Sequence, residues 1–357
     1  MKVVSQVQKT VNREGKYMKV SFIVVAYNAG SKLENLLNDL EKQDYKHDDI
    51  EIILVDSNSS DNTKDVMIKF KNSNKTFSKV SVLDNPKKIL PCGWNIALAE
   101  STGDIILRVD AHSSLPEDFI SKNVKRIEMG EKIVGGHRIS IIDEDNAWQK
   151  TLLIAEKSIF GSGIASYRRQ ETEEYVSTLA HAAYSRETFK NVGGYDERLA
   201  RTEDNEMHYR MKKAGYKFLL DPTIKSYHHA RNTLSKMMKQ KYLNGYWIGL
   251  TMGVEPKCFS LYHFVPLMFV LALIVSIIGA FTLTSLPLIV LLAAYFTFNI
   301  VNTVFSILPE KKHFSYILLP IIFFLLHVSY GWGTLYGLIK LPFWIRKNKV
   351  FEYPIIK

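Results

Sequence analysis

The residues whose types and spacing best support chemistry are Asp110 and His112, which end the apolar run IILRVDAH at residues 105–112. In an extended backbone, side chains two positions apart leave the same face. A carboxylate and a neutral imidazole at the carboxyl end of a buried strand can bind a divalent metal ion, and open α/β sheets bind their ligands at that edge. The alternative is that Asp110 caps a turn and His112 is an unrelated polar residue.

Acidic, amide and phenol side chains also follow two earlier apolar runs. The first run leads into Tyr27 and Asn28, and the second leads into Asp56 and Asn58. Such groups donate hydrogen bonds to, and accept them from, ribose hydroxyls and base edges, and Asp56 could accept the imino N–H of a uracil ring. An Asx turn is the alternative role for Asp56.

Two adjacent acids, Glu203 and Asp204, stand at the start of a predicted helix. Acids in a first helical turn interact favourably with the helix dipole, which is one explanation for them. The other explanation is catalytic: a carboxylate beside a metal–diphosphate site could remove the proton from an attacking hydroxyl. This segment alone leaves both roles open.

Alternating strands and helices must position these residues. Apolar, β-branched runs at 19–26, 51–55, 79–83 and 105–109 predict buried strands, with helical patterns between them. That rhythm predicts a parallel sheet with right-handed crossovers, a Rossmann-like α/β fold. No G-x-G-x-x-G motif follows the first strand, so a dinucleotide cofactor is not expected.

The C-terminal third contains two long segments without Asp, Glu, Lys or Arg, residues 258–309 and 314–339. A helix of about 20 apolar residues crosses a bilayer, so the first segment has room for two spans and the second for one. We therefore expect about three transmembrane helices over residues 263–345, followed by a tail at residues 346–357.

The direction of the last span is ambiguous. Three crossings from a cytosolic catalytic part would place Arg346 and Lys347 outside the cell, against the tendency of basic residues to stay inside. Because Pro320 and Pro342 interrupt the segment, a bent or re-entrant hairpin over residues 314–345 is the alternative.

The net charge of +10 is partly concentrated in residues 225–262, where basic and aromatic residues are interleaved. Next to a membrane span, this mixture predicts interfacial helices on an anionic lipid surface and argues against nucleic-acid binding. Residues 1–17 are polar and patternless, which predicts a mobile tail. Since no apolar segment precedes the first strand, we expect the catalytic part to stay on the cytoplasmic face of the cell membrane.

Five blocks, in this order, resemble the family 2 glycosyltransferases with the GT-A fold, and in particular the membrane-attached, succinoglycan-type glucosyltransferases of exopolysaccharide assembly. The blocks are VVAYNAG, ILVDSNSSDNT, NPKKILPCGWNIALAESTGDIILRVDAHS, VGGYDERL and TEDNEMHYRMKKAG. They cover residues 20 to about 250. The resemblance implies a GT-A catalytic domain at residues 18–224, with a Rossmann-like, mostly parallel sheet, and a C-terminal transmembrane helical region.

By that resemblance, Tyr27, Asn28 and Asp56 would contact the nucleoside of a nucleotide sugar, with Asn58 in the same polar run. Asp110 would hold Mn²⁺ or Mg²⁺ on the diphosphate. The second acid that is usual in the family is replaced here by a histidine, His112, and an imidazole ligand shifts the preference towards Mn²⁺.

The resemblance also implies that Asp204 is the general base and that Glu203 orients it or the acceptor. Direct attack with one base implies inversion at the anomeric carbon, without the second carboxylate that a covalent intermediate needs. His228 follows the base helix at a place where GT-A enzymes often offer a third metal ligand. A surface histidine with no ligand is the alternative.

The leading hypothesis is a membrane-anchored, metal-dependent, inverting glycosyltransferase of exopolysaccharide or capsule assembly. It would move one sugar from a UDP-sugar to a polyprenyl-diphosphate-linked saccharide. Transfer of a single sugar is expected because processive synthases carry a Q-x-x-R-W motif after the base, and no R-W pair follows Gln240 here. One alternative is a polyprenyl-phosphate glycosyltransferase, whose acceptor is the bare lipid phosphate. The other is a non-catalytic membrane subunit of a saccharide export complex, against which the presence of Asp56, Asp110 and Asp204 argues.

Overall fold

The computed structural model describes residues 17–161, 166–168, 171–311, 313–348 and 351–356. Within these residues, the chain forms an α/β domain that ends near residue 229 and then a set of long helices. Nearly all of the tail predicted for residues 1–17 lies outside the described residues.

The first half of the α/β domain alternates strands and helices, as predicted. Its elements are β1 (Val20–Ala26), α1 (Gly30–Leu40), β2 (Ile50–Asp56), α2 (Thr63–Ser73), β3 (Lys79–Asp84), α3 (Leu90–Glu100) and β4 (Ile105–Arg108). The four strands pair in parallel in the order β3-β2-β1-β4. Every residue of β1 and β2 is buried, as in a parallel sheet covered on both faces. The carboxyl ends of these strands therefore meet at one edge.

The second half adds strands of both directions to the same sheet. Its elements are β5 (Ser113–Ser114), α4 (Phe119–Glu128), β6 (Ile133–Ile141), α5 (Ala147–Lys157), β7 (Glu174–Val176), β8 (Ala182–Ser185), α6 (Arg186–Val192), α7 (Glu203–Lys213) and β9 (Phe218–His229). Strand β8 is antiparallel to β4 and β6, β6 is parallel to β9, and β5 and β7 are antiparallel to β9. Among the described residues this gives one nine-stranded sheet. The predicted GT-A-like fold is confirmed, with a more mixed sheet than expected.

In the described part of the chain, four long helices follow the sheet, and three C-terminal segments are apolar and long enough to cross a membrane. The helices are α8 (Leu234–Thr251), α9 (Val265–Thr282), α10 (Leu286–Ile307) and α11 (Leu319–Lys347). The three segments are Leu261–Thr282, Leu286–Ile307 and Phe314–Lys347. The protein therefore has a C-terminal helical region suited to membrane association.

Two details of the expected C-terminal organisation are wrong. Residues 225–229 are not helical, because they continue β9 and pair with β6. The region at 314–345 is not a hairpin, because α11 continues through Pro342 to Lys347 as one helix.

Helices α8 and α11 pack closely through glycines. A Cβ atom at Gly333 would lie 2.1 Å from the backbone oxygen of Tyr242, and one at Gly245 would lie 2.1 Å from that of Tyr330. Glycine permits this approach of the two backbones because it has no side chain. The contact fixes α8, which directly follows the sheet, alongside α11.

Both ends of α11 contact the α/β domain. Just before the helix, Ser315 Oγ lies 2.7 Å from Thr151 Oγ1 on α5. Just after it, Arg198 Nη1 donates to the backbone oxygen of Asn348 at 3.1 Å. Both ends of the helix are therefore held at the α/β domain.

The C-terminal segment at residues 351–356 returns over the α/β domain beside α7. The hydroxyl of Tyr353 donates to Glu206 Oε1 at 3.0 Å, and the guanidinium of Arg210 lies 3.8 Å from the centre of the Tyr353 ring. Ile356 is buried in the core between the sheet and α3, α6 and α7. The segment that follows α11 is thus anchored on the helix that begins with the predicted acid pair.

Candidate active site

Asp110 and His112 lie in a turn rather than in a strand. Strand β4 ends at Arg108, and the backbone N–H of Ser113 donates to the backbone oxygen of Asp110 at 3.1 Å. The expectation that an extended backbone aligns the two side chains is therefore wrong, because the chain bends here to enter β5. The turn itself brings the two side chains together at the carboxyl end of β4.

His228 joins these two side chains because β5 pairs with β9. Ser113 lies opposite His228 in antiparallel register, and the centres of the His112 and His228 rings are 4.9 Å apart. The potential ligand atoms of Asp110, His112 and His228 all lie within 4.8 Å of one another. The structure thus brings together the three residues predicted from the sequence to be metal ligands.

His181 holds the other side of the Asp110 carboxylate. Its Nε2 lies 3.4 Å from Asp110 Oδ2 and 3.0 Å from Ser113 Oγ, and its Nδ1 lies 2.9 Å from Ser226 Oγ. Metal-binding carboxylates are commonly oriented by such second partners. The sequence pattern does not single out His181, because it reaches Asp110 only through the antiparallel pairing of β4 with β8.

Burial and hydrogen bonding together determine which side chains of this cluster are charged. Burial would raise the pKa of Asp110, but the hydrogen bond with His181 and the neighbouring positive charges hold that pKa well below its usual range. Burial lowers the pKa of His112 to about 4 and moves the pKa of His228 well below its ordinary value. At neutral pH the cluster is therefore one carboxylate and two neutral imidazoles, the forms that bind metal ions.

This donor set fits a divalent metal ion. His228 Nδ1 is buried and has no hydrogen-bond partner among the described residues, and such an unpaired atom costs about 1–3 kcal/mol. One carboxylate and two imidazoles suit Mn²⁺ better than Mg²⁺, which prefers oxygen ligands. Asp110, His112 and His228 are therefore the residues that could hold the ion.

The polar residues that follow β1 and β2 form two interlocked loops. Asn28 Oδ1 accepts a hydrogen bond from Ser60 N at 2.8 Å, and Asn28 N donates to Ser59 Oγ at 3.0 Å. The buried Asp56 carboxylate accepts from Ser59 N at 3.2 Å, so the Asx turn considered for Asp56 is present. The side chain of Tyr27 is 57 % exposed beside these loops.

The backbone of both loops is fixed at asparagines. Asn28 and Asn58 have φ angles of 48° and 59°, a left-handed conformation that asparagine adopts more readily than most residues. Because β1 lies between β2 and β4, Tyr27, Asn28, Asp56 and Asn58 share the edge of the sheet where Asp110, His112 and His228 cluster. Their contact with a nucleoside stays a prediction.

Arg108 connects the end of β4 to the predicted acid pair. Its Nη2 lies 3.4 Å from Glu203 Oε1, and its guanidinium carbon lies 4.5 Å from the Trp94 ring and 5.4 Å from the Tyr195 ring. A guanidinium can make an ion pair in its plane and stack on aromatic faces at the same time. Arg108, which sequence analysis did not select, therefore holds the start of α7 against β4.

The two adjacent acids face different surroundings. Glu203 is 2 % exposed and faces Arg108, whereas Asp204 lines a cavity of about 660 Å³. Burial, and then the charge of Asp204, raises the pKa of Glu203 to about 8, and burial also raises the pKa of Asp204. Near neutral pH Glu203 is therefore mainly protonated, which leaves the negative charge of the pair on Asp204.

The cavity extends from Asp204 to the apolar C-terminal helices. Its walls contain basic side chains and aromatic side chains, including Arg168, Arg201, Lys241, Phe269, Tyr295 and Phe298. A ligand with a polar part near Asp204 and an apolar part near α9 and α10 would match this lining.

The sequence profile described as Glycosyl transferase family 2 matches residues 21–193, which contain the two interlocked loops and the turn with Asp110 and His112. Residues 21–193 are a family 2 glycosyltransferase domain. The resemblance inferred from the five sequence blocks is confirmed.

Two relatives of known name extend this similarity. The chain is 27% identical over 258 residues to "Succinoglycan biosynthesis protein ExoA" of Rhizobium meliloti, covering 67% of this chain and 76% of the relative. It is 25% identical over 327 residues, 90% of this chain and 97% of the relative, to a protein of Methanococcus voltae. That protein is named "Dolichyl N-acetyl-alpha-D-glucosaminyl phosphate 3-beta-D-2,3-diacetamido-2,3-dideoxy-beta-D-glucuronosyltransferase". Because it covers 90% of this chain, the similarity to the second relative must extend into the C-terminal helical region.

A solved structure shares the fold. It is the mannosyltransferase PcManGT from Pyrobaculum calidifontis in complex with GDP-Man and Mn²⁺, with a TM-score of 0.59 and 17% identity. The match covers 89% of this chain and 87% of that one. At this identity the likeness shows the fold alone.

We predict that His112→Ala and His228→Ala each weaken Mn²⁺ binding by about tenfold or more, because each removes a nitrogen ligand. Electron paramagnetic resonance of free Mn²⁺ during titration measures this without turnover. His229→Ala is the matched control, since the ring of His229 lies 2.5 Å from Asp143 Oδ1. Mn²⁺ affinity that is unchanged in both cluster variants would leave Asp110 as the one ligand supported.

Proposed function

We propose that this family 2 glycosyltransferase is membrane-anchored, inverting and metal-dependent. It moves one sugar from a UDP-sugar onto a polyprenyl-diphosphate-linked saccharide at the cytoplasmic face of the cell membrane. The proposal depends on how the parts of the site are connected. Asp110 belongs to the candidate metal-ligand cluster, and Arg108, two residues earlier, contacts Glu203 of the acid pair. The cavity that Asp204 lines continues to the apolar helices. Donor and acceptor would thus meet at the end of β4.

The donor side of the proposed site lies at the edge of the parallel strands. The loops after β1 and β2 hold the nucleoside, with the exposed ring of Tyr27 available to stack on the base. Asp110, His112 and His228 would hold Mn²⁺ or Mg²⁺. When bound, the ion supplies positive charge that offsets the charge on the departing nucleoside diphosphate.

The acceptor side lies at the start of α7. Asp204 takes the proton of the acceptor hydroxyl while the hydroxyl oxygen bonds to the anomeric carbon and the bond from that carbon to the diphosphate breaks. Glu203 stays protonated against Arg108 and therefore does not compete as a base. One displacement inverts the configuration.

The name of one relative supports a lipid-linked acceptor, and the name of another supports a role in polysaccharide assembly. The Methanococcus voltae protein is named for a dolichyl-linked sugar phosphate, and the Rhizobium meliloti protein is named for succinoglycan biosynthesis. The R-W pair of processive synthases is missing after Gln240, which supports transfer of one sugar. Together these features favour a step in exopolysaccharide or capsule assembly.

We predict that Asp204→Asn lowers kcat about 10²- to 10⁴-fold, whereas Glu203→Gln, which mimics the protonated acid, stays within about tenfold of the wild type. Transfer of radiolabelled sugar from a panel of UDP-, GDP- and CDP-sugars measures both. Because the pKa of Asp204 is raised, wild-type activity should also fall on acidification at a pH above the ordinary range of an aspartate. An Asp204→Asn variant as active as the wild type would remove the base assignment, whereas no transfer by the wild type from any of these donors would favour the non-catalytic subunit.

We further propose that α9 and α10 cross the membrane as a pair and that α11 lies along the membrane surface. The 29 residues of α11 make it about 43 Å long, yet both of its ends contact the α/β domain. A crossing helix would carry one end about 30 Å away to the far side of the bilayer. Two crossings also keep Arg346 and Lys347 on the cytoplasmic side with Lys311, as basic residues prefer.

We predict that Lys347→Cys is labelled from the same side of sealed vesicles as Lys69→Cys on the α/β domain. Thr284→Cys, in the turn between α9 and α10, is labelled from the opposite side. The variants are made in a protein whose Cys92 and Cys258 are replaced by serine, and labelling is measured with a membrane-impermeant maleimide. Labelling of Lys347→Cys from the same side as Thr284→Cys would instead establish three crossings.

A further inference from the structure

We infer that the cavity beside Asp204 binds the phosphate group of an isoprenoid lipid through Lys241 of α8, with the apolar chain along α9 and α10. This inference rests on the proposed function and assigns the acceptor's headgroup to a named cation. The shared chemistry is an anionic phosphate joined to an apolar chain.

The first support is the position of Lys241 in the cavity. Its ammonium donates to the backbone oxygen of Gly161 at 3.2 Å and lies 6.0 Å from the centre of the Tyr330 ring. An ammonium has three donors, and no carboxylate lies within ion-pair distance of it in the part of the chain that the structure describes. Lys241 is therefore a cation in a largely buried wall that has room for an anion.

The second support is that the nearby carboxylate of Glu156 is already paired with other side chains. Glu156 Oε1 accepts from Arg168 Nη1 at 3.1 Å and from Ser140 Oγ at 3.0 Å. Burial, and then Arg168, lowers the pKa of Lys241 to about 8, only partly offset by Glu156. Because burying a charge without a partner is costly, an anionic ligand at this place would be stabilising.

The third support is the order of groups along the cavity wall. Asp204 on α7 would receive the acceptor hydroxyl, and Arg201 lies at the exposed mouth, where its Nη1 donates to Asn244 Oδ1 at 3.1 Å. Next to Gly161, which Lys241 contacts, the ring of Phe160 packs against Tyr295 and Phe298 of α10, and these aromatic side chains continue the wall. A phosphate headgroup with a sugar on one side and an isoprenoid chain on the other matches this spatial order, in which a hydroxyl-binding surface is followed by a cationic surface and then an apolar one.

The test compares binding of farnesyl phosphate and farnesol to the full-length protein in neutral detergent, by isothermal titration without donor or metal. The wild type should bind farnesyl phosphate at least about tenfold more tightly, since a charge-assisted hydrogen bond is lost with farnesol. Lys241→Ala should reduce that preference to about twofold or less, and Lys241→Arg should retain most of it. Lys239→Ala, an exposed lysine on the same helix, is the matched control and should behave as the wild type.

Two results would overturn the inference. One is a phosphate preference that Lys241→Ala leaves intact or that the wild type does not have. The other is displacement of farnesyl phosphate by an equal concentration of phosphatidylglycerol, which would assign the cavity to bulk lipid headgroups. Because binding is measured without turnover, the inference can fail while the Asp204→Asn assay still supports the transferase, and the reverse also holds.

Discussion

The buried contact between the Arg108 guanidinium and the carboxyl group of Glu203 is the interaction on which the candidate site depends. Two adjacent carboxyl groups that face away from water repel each other, and each disfavours ionisation of the other. Arg108, stacked on Trp94 and Tyr195, offsets that repulsion from the end of β4. Without this cation, the start of α7 would carry an uncompensated charge against a buried strand. The same strand end continues directly into the turn with Asp110 and His112, so one short segment fixes both halves of the candidate site.

The cluster of Asp110, His112 and His228 depends in turn on the mixed half of the sheet. His228 reaches Asp110 and His112 because the two-residue strand β5 pairs with β9, and His181 reaches Asp110 because β8 runs antiparallel to β4. A purely parallel sheet would bring only successive strand ends to this edge. The antiparallel additions supply imidazoles from distant parts of the chain. They explain how one acid is surrounded by three histidines.

Much of the parallel half could be predicted from sequence, because buried strands such as β1 and β2 are continuous apolar runs. Asp110, His112 and His228 do lie together, although the extended geometry assumed for the first two was wrong, and their binding of a metal ion stays a prediction. Arg108 and His181 could not be found this way, because their roles come from pairing and stacking across the sheet. The same holds for α11: hydropathy gives its length, but only its contacts at Thr151 and Arg198 show that both ends stay at the domain.

The central claim is that Asp204 drives a single displacement on a donor held at the metal cluster. The anomeric configuration of the product tests it most directly. The purified protein is incubated with Mn²⁺, a prenyl-diphosphate-linked saccharide and an α-linked nucleotide sugar from the UDP, GDP and CDP series. The coupling of the anomeric proton in the product is then measured by NMR. The account predicts a β-linked product. An α-linked product would require a covalent intermediate or a front-side attack and would contradict the account.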